Sequence, residues 1–243
     1  MDTIVVSGLT KRYGAVTAVD DLSFTVAQGR VTGLLGPNGA GKTTTLRALL
    51  GFTHPDAGSA TFAGTIYREL EHPTRHVGAV LDTATFHPGR TARDHLEIMA
   101  VAAGIDLKRV DDVLAQVDLS DVANRRVKGF SLGMRQRLVL AGALLGDPAV
   151  LVLDEPANGL DPDGVHWLRL FLREFASSGR TVLVSSHMLA EVAQTVDDVV
   201  IVSKGRAVWQ GPLADVVQVD GRTGESLEDA FFALTHTQER SFT

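Results

Sequence analysis

Apolar residues along the chain recur in two patterns, and both predict β-strands. In residues 22–26 apolar and polar positions alternate, which is typical of a strand with one face in solvent. Four further runs are continuously apolar or nearly so, which is typical of parallel strands that helices cover on both faces. These runs are residues 31–35, 150–153, 182–184 and 199–202.

Helical patterns fill much of the stretch between residues 35 and 150. We predict helices there over residues 91–103, 107–117 and 132–145. Further helices are predicted over residues 164–176 and 188–195, and a short capped helix that docks on its own domain is predicted over 226–234. The expected fold is α/β, with a mostly parallel sheet, an antiparallel edge near the amino terminus and a helical insertion.

Charge and composition narrow the class of protein. The 243 residues carry a net charge of −6, which disfavours a nucleic-acid partner held by phosphate neutralisation. Cysteine is absent, so disulfides, thiolate metal sites and thiol catalysis are excluded. No apolar run approaches the roughly 18 residues of a membrane span, and no secretion signal is visible. We therefore expect a cytoplasmic globular protein.

A glycine-rich segment directly after the first buried run matches the phosphate-loop pattern GxxxxGK[ST]. Its glycines let successive backbone N–H groups point at phosphate oxygens, and the helix that follows, over about 42–50, points its positive end at the same anion. Lys42 would serve the β- and γ-phosphates and the Thr43 hydroxyl would bind Mg²⁺. The alternative is a plain glycine-rich turn. The predicted nucleotide-binding residues are Gly36, Pro37, Asn38, Gly39, Ala40, Gly41, Lys42, Thr43 and Thr44.

Two carboxylates, Asp154 and Glu155, follow the buried run at residues 150–153. Ligands of α/β proteins bind at the carboxyl ends of parallel strands, so these side chains are candidates for the site. Asp154 is the expected partner of Mg²⁺, and Glu155 could polarise the attacking water. The alternative is that the pair only caps the turn at Pro156.

His187 occupies the equivalent position after the next buried strand. A lone histidine is more often structural, but here the expected strand order places it beside the γ-phosphate. Its imidazole could there hydrogen-bond the phosphoryl group or the nucleophilic water.

Ser131 opens the long apolar helix predicted over residues 132–145. Serine is a good N-cap, and Gly133 leaves the backbone N–H groups of the first turn uncovered. Propensity alone favours an ordinary capped core helix. A functional interpretation of this helix depends on the family resemblance.

Together these segments resemble the ATP-binding subunit of ABC transporters over nearly the whole chain, and they occur in that family's order. The phosphate loop is similar to the Walker A motif of that family, and residues 150–155 are similar to its Walker B motif. Residues 131–136 resemble the signature helix, and residues 158–161 resemble the D-loop. His187 is similar to the switch histidine, and Tyr13 is similar to the aromatic residue that stacks on adenine. The joint occurrence of these motifs is very specific.

The resemblance implies a fold and a division of the chain. It implies a P-loop NTPase core of the RecA-like type, with an antiparallel amino-terminal β subdomain and an inserted helical subdomain. The ATPase domain would span residues 1–215, with the insertion at about 86–148, and residues 216–243 would form a short extension with one helix and a polar tail.

The resemblance also implies a mechanism. Two ATP-binding subunits, identical or paralogous, would bind two ATP molecules between them. Each would offer Ser131 and Gly133 to the γ-phosphate held by its partner's Lys42 and Thr43. Closure would drive a separate membrane permease, and this subunit would lie on the inner face of the cell membrane.

Two positions depart from the usual pattern of the family. Asp82 stands where glutamine is usual; a carboxylate can ligate Mg²⁺ but cannot donate a hydrogen bond. The signature reads Ser-Leu-Gly-Met from Ser131. Both features, and the Ser-Leu-Glu-Asp-Ala-Phe segment at residues 226–231, are similar to the bacitracin- and daunorubicin-type exporters with ABC-2 permeases. That branch implies export of a drug, antibiotic or lipid-like compound.

Two other functions compete with this interpretation. A soluble ABC-type ATPase would not be coupled to transport, but its translation and DNA-repair forms usually carry a second ATPase domain or a long coiled coil. The acidic balance also disfavours a nucleic-acid role. A P-loop kinase or GTPase has no place for residues 131–136 or the D-loop segment.

Overall fold

In the part of the chain that the structure describes, two β-sheets form the framework, one of six strands and one of three. The computed structural model describes residues 2–81, 86–188, 192–216 and 231–232. In chain order the described strands are β1 (Asp2–Tyr13), β2 (Val16–Ala27), β3 (Val31–Leu35), β4 (Ala57–Phe62), β5 (Val77–Val80), β6 (Val150–Asp154), β7 (Thr181–Ser186), β8 (Asp198–Ser203) and β9 (Arg206–Pro212).

The six-stranded sheet has the order β5-β6-β7-β3-β8-β9. All neighbours are parallel except β8 and β9, which are antiparallel. Alternate residues of a central strand enter different hydrophobic clusters: Leu151 and Leu153 of β6 lie in one, Val150 and Val152 in the other. The prediction that the continuously apolar runs are strands covered on both faces is therefore confirmed.

The three-stranded sheet has the order β2-β1-β4 and is antiparallel throughout. It confirms the expected antiparallel unit near the amino terminus, but the sequence indicated only residues 22–26 of it. In β1 the register slips between Val6 and Leu9 at Gly8, whose φ of 57° is left-handed. This irregularity interrupts the period of two by which a strand is recognised.

The α-helices of the described residues are α1 (Lys42–Leu49), α2 (Ala92–Ala102), α3 (Lys108–Gln116), α4 (Leu132–Leu144), α5 (Pro162–Ser177) and α6 (Leu213–Val216). They pack on both faces of the central sheet, because Leu46 of α1 is buried in the cluster that contains the three-stranded sheet, whereas Leu96 of α2 and Leu172 of α5 are buried in the other cluster. The predicted ends of α1 to α5 differ from these bounds by at most two residues. The helix predicted over 188–195 includes residues outside the described part, and so does most of the one predicted over 226–234.

The insertion between β5 and β6 is a small helical unit with its own buried face. Leu96 of α2, Val110 and Val113 of α3, and Leu138 and Ala141 of α4 are fully buried in one cluster. A capping box starts α2, in which Thr91 and Asp94 each accept a hydrogen bond from the other's backbone N–H at 3.0 Å. Side-chain caps thus start α2 and α4, and buried apolar residues pack all three helices together.

A polar junction ties the insertion to α5 of the core. The Asp118 carboxylate, just beyond α3, accepts hydrogen bonds of 2.9 Å from Arg137 of α4 and from the Trp167 indole of α5. The Arg137 guanidinium also lies 4.2 Å above the Trp167 ring. Three helices are fixed to one another here by a cation–π contact and two hydrogen bonds to the same carboxylate.

The strand order brings three functional segments to one edge of the sheet. Strands β6, β7 and β3 are consecutive neighbours. Their carboxyl ends lead into Glu155, His187 and Gly36 respectively. The edge where α/β proteins bind ligands therefore carries all three predicted segments.

Candidate active site

A cleft of about 440 Å³ opens at the carboxyl ends of β3, β6 and β7. Predicted site residues that line it are Tyr13, Asn38, Gly39, Ala40, Gly41, Lys42, Thr43, Thr44, Glu155 and His187. Ala18 and Asn158 also line it. The sequence had placed Asn158 in the D-loop segment without assigning it to the site.

The phosphate loop needs glycine at two of its positions for steric reasons. A Cβ on Gly36 would lie 2.3 Å from the carbonyl oxygen of Val202, and one on Gly41 would lie 2.4 Å from that of Ala18. Gly41 also has a left-handed φ of 103°. The loop is therefore packed against β8 and β2, and its glycines are required by the fold as well as by any ligand.

Lys42 is buried at the floor of the cleft, with 6% of its side chain exposed. Its ammonium group donates to the carbonyl oxygens of Gly36 at 2.7 Å and Pro37 at 3.3 Å. Glu155 Oε1 lies 3.3 Å from the same nitrogen. Two carbonyls and one carboxylate thus hold the cation in place, as a buried charge requires.

Glu155 is held between two side chains. Besides the contact with Lys42, its Oε2 lies 2.6 Å from Nδ1 of His187. An ionised carboxylate only accepts hydrogen bonds, so the proton of this contact belongs to Nδ1. In the neutral imidazole the opposite nitrogen, Nε2, is then an acceptor.

Asp154 and Glu155 are both anchored to Ser185, a residue that the sequence analysis did not single out. The Ser185 hydroxyl donates to Oδ1 of Asp154 and accepts a 3.0 Å hydrogen bond from the backbone N–H of Glu155. Ser185 is fully buried. Ser185 is one of three hydroxyl residues in the buried strand β7, so no signal in the sequence distinguished it from Thr181 or Ser186.

Tyr13 stands at the outer side of the cleft, and half of its surface is exposed. Its hydroxyl is 3.3 Å from that of Thr53, and the ammonium group of Lys11 lies 5.6 Å from its ring centroid. An aromatic ring that is fixed at one edge and open elsewhere can stack on a planar base.

Ser131 and Gly133 do not line the cleft of their own chain. Ser131 is exposed and caps α4, because its hydroxyl accepts a 3.2 Å hydrogen bond from the backbone N–H of Met134. Among the described residues, no atom lies within 4 Å of a Cβ built on Gly133. The start of α4 therefore presents uncovered backbone to the outside.

The segment after Glu155 connects the cleft to the start of α4. Gly159 has a left-handed φ of 74°, and a Cβ there would lie 2.9 Å from Cδ2 of Leu132. Asp161 caps α5 by accepting a 2.8 Å hydrogen bond from the N–H of Gly164. This segment thus packs directly against the first turn of α4.

Two of the three residues expected to hold magnesium lie in the described part of the chain. Thr43 lines the cleft and Asp154 ends β6, whereas Asp82 lies outside the described residues. Within the described ranges, no group of three or more His, Asp or Glu side chains is placed to hold a metal ion. One hydroxyl and one carboxylate suit Mg²⁺, which usually completes its shell with water and substrate phosphates.

The fold and this cleft define a P-loop nucleotide-binding protein, and comparison with known proteins defines the family. The model of the ABC transporter family matches residues 19–158. The Nod factor export ATP-binding protein I of Ralstonia nicotianae is 42% identical over 250 residues, which is 97% of this chain and 78% of that protein. The bacitracin transport ATP-binding protein of Bacillus licheniformis is 41% identical over 216 residues, or 87% of this chain and 71% of that protein.

Solved structures agree with this family. One titled as the ATP-binding subunit of an ABC transporter superposes with a TM-score of 0.84 at 29% identity, covering 96% of this chain and 99% of that one. The predicted P-loop NTPase core is confirmed, and so is the likeness to the bacitracin-type branch.

This chain belongs to the ABC transporter family. It is an ATP-binding subunit that hydrolyses ATP to drive transport, which excludes the kinase, GTPase and uncoupled ATPase alternatives. ATP-binding subunits of export systems work with membrane permease components. No helix in the described part of this chain is long and apolar enough to cross a membrane.

Proposed function

We propose that this subunit powers the export of a drug, antibiotic or lipid-like compound through a separate permease of the ABC-2 class, at the cytoplasmic face of the membrane. The names of two relatives support export, since one is named for Nod factor export and the other for bacitracin transport. The Ser-Leu-Gly-Met signature at Ser131 and the acidic Asp82 support the ABC-2 branch by resemblance.

Nucleotide binding is assigned to the loop from Gly36 to Thr44 and to Tyr13. Backbone N–H groups of the loop and the start of α1 would face the phosphates, and Lys42 would add its charge. Tyr13 would stack on the adenine, for which its half-exposed ring at the rim of the cleft is suited.

Magnesium is assigned to the Thr43 hydroxyl and the Asp154 carboxylate, with Asp82 as a further ligand outside the described residues. Bound there, the ion would neutralise charge on the phosphate oxygens. Ser185 engages Oδ1 of Asp154, and the carboxylate that it orients would help to hold the ion.

Glu155 is assigned as the general base, with His187 beside it. The observation that carries this assignment is the chain of contacts from Lys42 to Glu155 at 3.3 Å and from Glu155 to His187 at 2.6 Å. A carboxylate next to the cation that binds the γ-phosphate is within reach of a water that attacks it. Nε2 of His187 would hydrogen-bond the same water or the phosphoryl group.

Each cleft is completed by a second ATP-binding subunit, identical or paralogous. Ser131 and Gly133 support this, because they lie at an exposed helix start rather than in the cleft of their own chain. Backbone N–H groups at a helix start bind anions, so a partner's γ-phosphate would be their ligand.

The division of the chain follows the same proposal. The ATPase domain would comprise residues 1–215 with the helical insertion at about 86–148, and residues 216–243 would form the extension. Phe231 supports docking of that extension, because it is 7% exposed and belongs to the same hydrophobic cluster as the helices of the core.

Replacement of Glu155 by glutamine tests the proposed hydrolytic site. The amide keeps the size of the side chain but cannot accept a proton, so we expect ATP turnover to fall at least about hundredfold while ATP still binds. Turnover is measured by phosphate release and binding by calorimetry. The exposed carboxylate of Glu174 on α5 offers a control, and Glu174→Gln should turn over normally. Normal hydrolysis by Glu155→Gln would remove Glu155 as the base.

A further inference from the structure

We propose that Ser185 is a positioning residue for ATP hydrolysis, whose hydroxyl fixes the Asp154 carboxylate and the backbone of Glu155 at the same time. The inference rests on the roles assigned above to Asp154 and Glu155. It adds a residue that touches neither nucleotide nor metal and acts through the two that do.

The register of the sheet sets this contact. Strands β6 and β7 are parallel neighbours, and Asp154 is paired with Ser185 across the ladder. The Ser185 hydroxyl donates its single proton to Oδ1 of Asp154 and accepts the N–H of Glu155 at 3.0 Å. One side chain therefore satisfies two consecutive residues of the neighbouring strand end.

The backbone of Glu155 needs such support. Its φ of 49° lies in the left-handed region, which a glutamate adopts only when its surroundings enforce it. The hydrogen bond from its N–H to Ser185 holds this turn, and the turn directs the carboxylate to Lys42 and His187. Without the acceptor, relaxation of φ would move the carboxylate away from both partners.

The orientation of Asp154 depends on the same hydroxyl. A donor on Oδ1 fixes the rotation of the carboxylate about its last bond, so Oδ2 keeps one direction. The next residue of β7 serves a different purpose: Ser186 contacts the backbone of Met188, with its hydroxyl 3.0 Å from that N–H. Of the two adjacent serines, Ser185 is therefore the one that contacts the Asp154 carboxylate at the end of β6.

Substitution of Ser185 separates a positioning role from a packing role. Ser185→Ala removes the hydroxyl, and we expect kcat to fall about tenfold to hundredfold while ATP affinity is unchanged. The concentration of Mg²⁺ needed for half-maximal turnover should rise, a readout that looser packing would not move selectively. Ser185→Thr keeps the hydroxyl and should restore kcat, since a cavity of about 40 Å³ borders this residue.

Thr32→Val provides a matched control in the same sheet. Thr32 is 1% exposed, and its hydroxyl has no hydrogen-bond partner among the described residues. Its replacement removes a buried hydroxyl without touching the carboxylates, so kcat and Mg²⁺ dependence should match the wild type. Thermal melting of every variant reports whether it is folded.

The inference fails if Ser185→Ala turns over like the wild type. It also fails if Ser185→Thr folds and binds ATP but is no faster than Ser185→Ala. If Ser185→Ala does not fold, Ser185→Cys replaces it, because a thiol is of similar size but only a weak hydrogen-bond donor. The kcat of Ser185→Cys should then be lower than that of Ser185→Thr. Glu155→Gln in the same series distinguishes the two hypotheses. If Glu155→Gln hydrolyses ATP normally, the assignment of Glu155 as the base is wrong. If Ser185→Ala hydrolyses ATP normally and Glu155→Gln does not, only the inference about Ser185 is wrong.

Discussion

Lys42 combines burial with three oxygen contacts within a single side chain. Its ammonium group is held by contacts with Gly36, Pro37 and Glu155 of its own chain. We expect Lys42→Ala to lower ATP affinity at least about tenfold, or about 1.4 kcal/mol, because a preorganised charge on the phosphates is lost. Calorimetry measures the change.

The control for this substitution is a lysine far from the cleft. Lys108 begins α3 and is exposed, so Lys108→Ala changes the net charge equally without touching the phosphate loop. Equal affinity of the Lys42→Ala and Lys108→Ala proteins would remove Lys42 from the nucleotide site.

His95 on α2 gives a prediction for the pH dependence of stability. Burial, with a smaller effect of the Arg90 charge, lowers the pKa of His95 below its usual 6.5. The unfolded chain therefore binds a proton more readily than the folded one, so folding stability falls as pH drops from about 7 through the folded pKa. His95→Gln should reduce the difference in melting temperature between pH 7 and pH 5.

An exposed histidine controls for the histidine prediction. His72 lies in a turn with a left-handed φ of 50°, a conformation that asparagine tolerates. His72→Asn should leave the contribution of His95 in place. A pH dependence that is the same with and without His95 would contradict the assigned effect of burial.

Residues within the phosphate loop could be predicted because the motif that binds phosphate consists of consecutive residues. Ser185 could not, because its partner Asp154 is brought next to it only by the pairing of β6 with β7. For Asp161 the resemblance indicated a position in the D-loop but not a structural role. The structure shows that its carboxylate caps α5.

The first turn of α4 is the element in which folding and the proposed catalysis overlap. Ser131→Ala removes the N-cap and should lower the free energy of unfolding by about 1 kcal/mol. It should also abolish most of the ATP hydrolysis. Ser131→Asp keeps a good cap, but its negative charge would repel a partner's γ-phosphate. We expect this variant to be stable and inactive, as measured by thermal melting and phosphate release.

Thr91 at the start of α2 is the matched control for an N-cap. Thr91→Ala breaks a capping box and should also cost about 1 kcal/mol, yet leave hydrolysis in place. If Ser131→Asp hydrolyses ATP normally, the start of α4 has no part in the site.

Elements with an uninterrupted pattern could be predicted with nearly correct bounds. Strand β3 has hydrophobic residues at three of its five positions and is buried at all of them, and α2 to α4 bury apolar side chains in one cluster. The edge strand β9 could not be predicted in the same way. β9 at the edge of the large sheet is mostly exposed and pairs with β8 through a register shift, so it lacks the alternation of a half-buried strand.

In the whole molecule, two distant surfaces carry complementary halves of the proposed reaction. One is the cleft with Lys42 and Glu155, and the other is the exposed start of α4. Within one chain, the segment at Gly159 packs against Leu132 of α4, and Arg137 of the insertion lies above the Trp167 ring of α5. These contacts join the cleft to the surface that we propose faces a second subunit.

The proposed pairing of two subunits could be expected only from the family resemblance. Ser131 is an ordinary helix cap by local criteria, and its lack of contact with the cleft of its own chain becomes apparent only in three dimensions.

The mass of the Glu155→Gln protein with ATP and Mg²⁺ tests the central claim most directly. Light scattering should give twice the mass of one chain. Where a paralogue is supplied, it should give the summed mass of one chain and the paralogue. Addition of Ser131→Asp to the same protein should return it to the monomer although ATP still binds. A Glu155→Gln protein that binds ATP and stays monomeric, even beside its permease, would contradict the shared nucleotide site and the mechanism built on it.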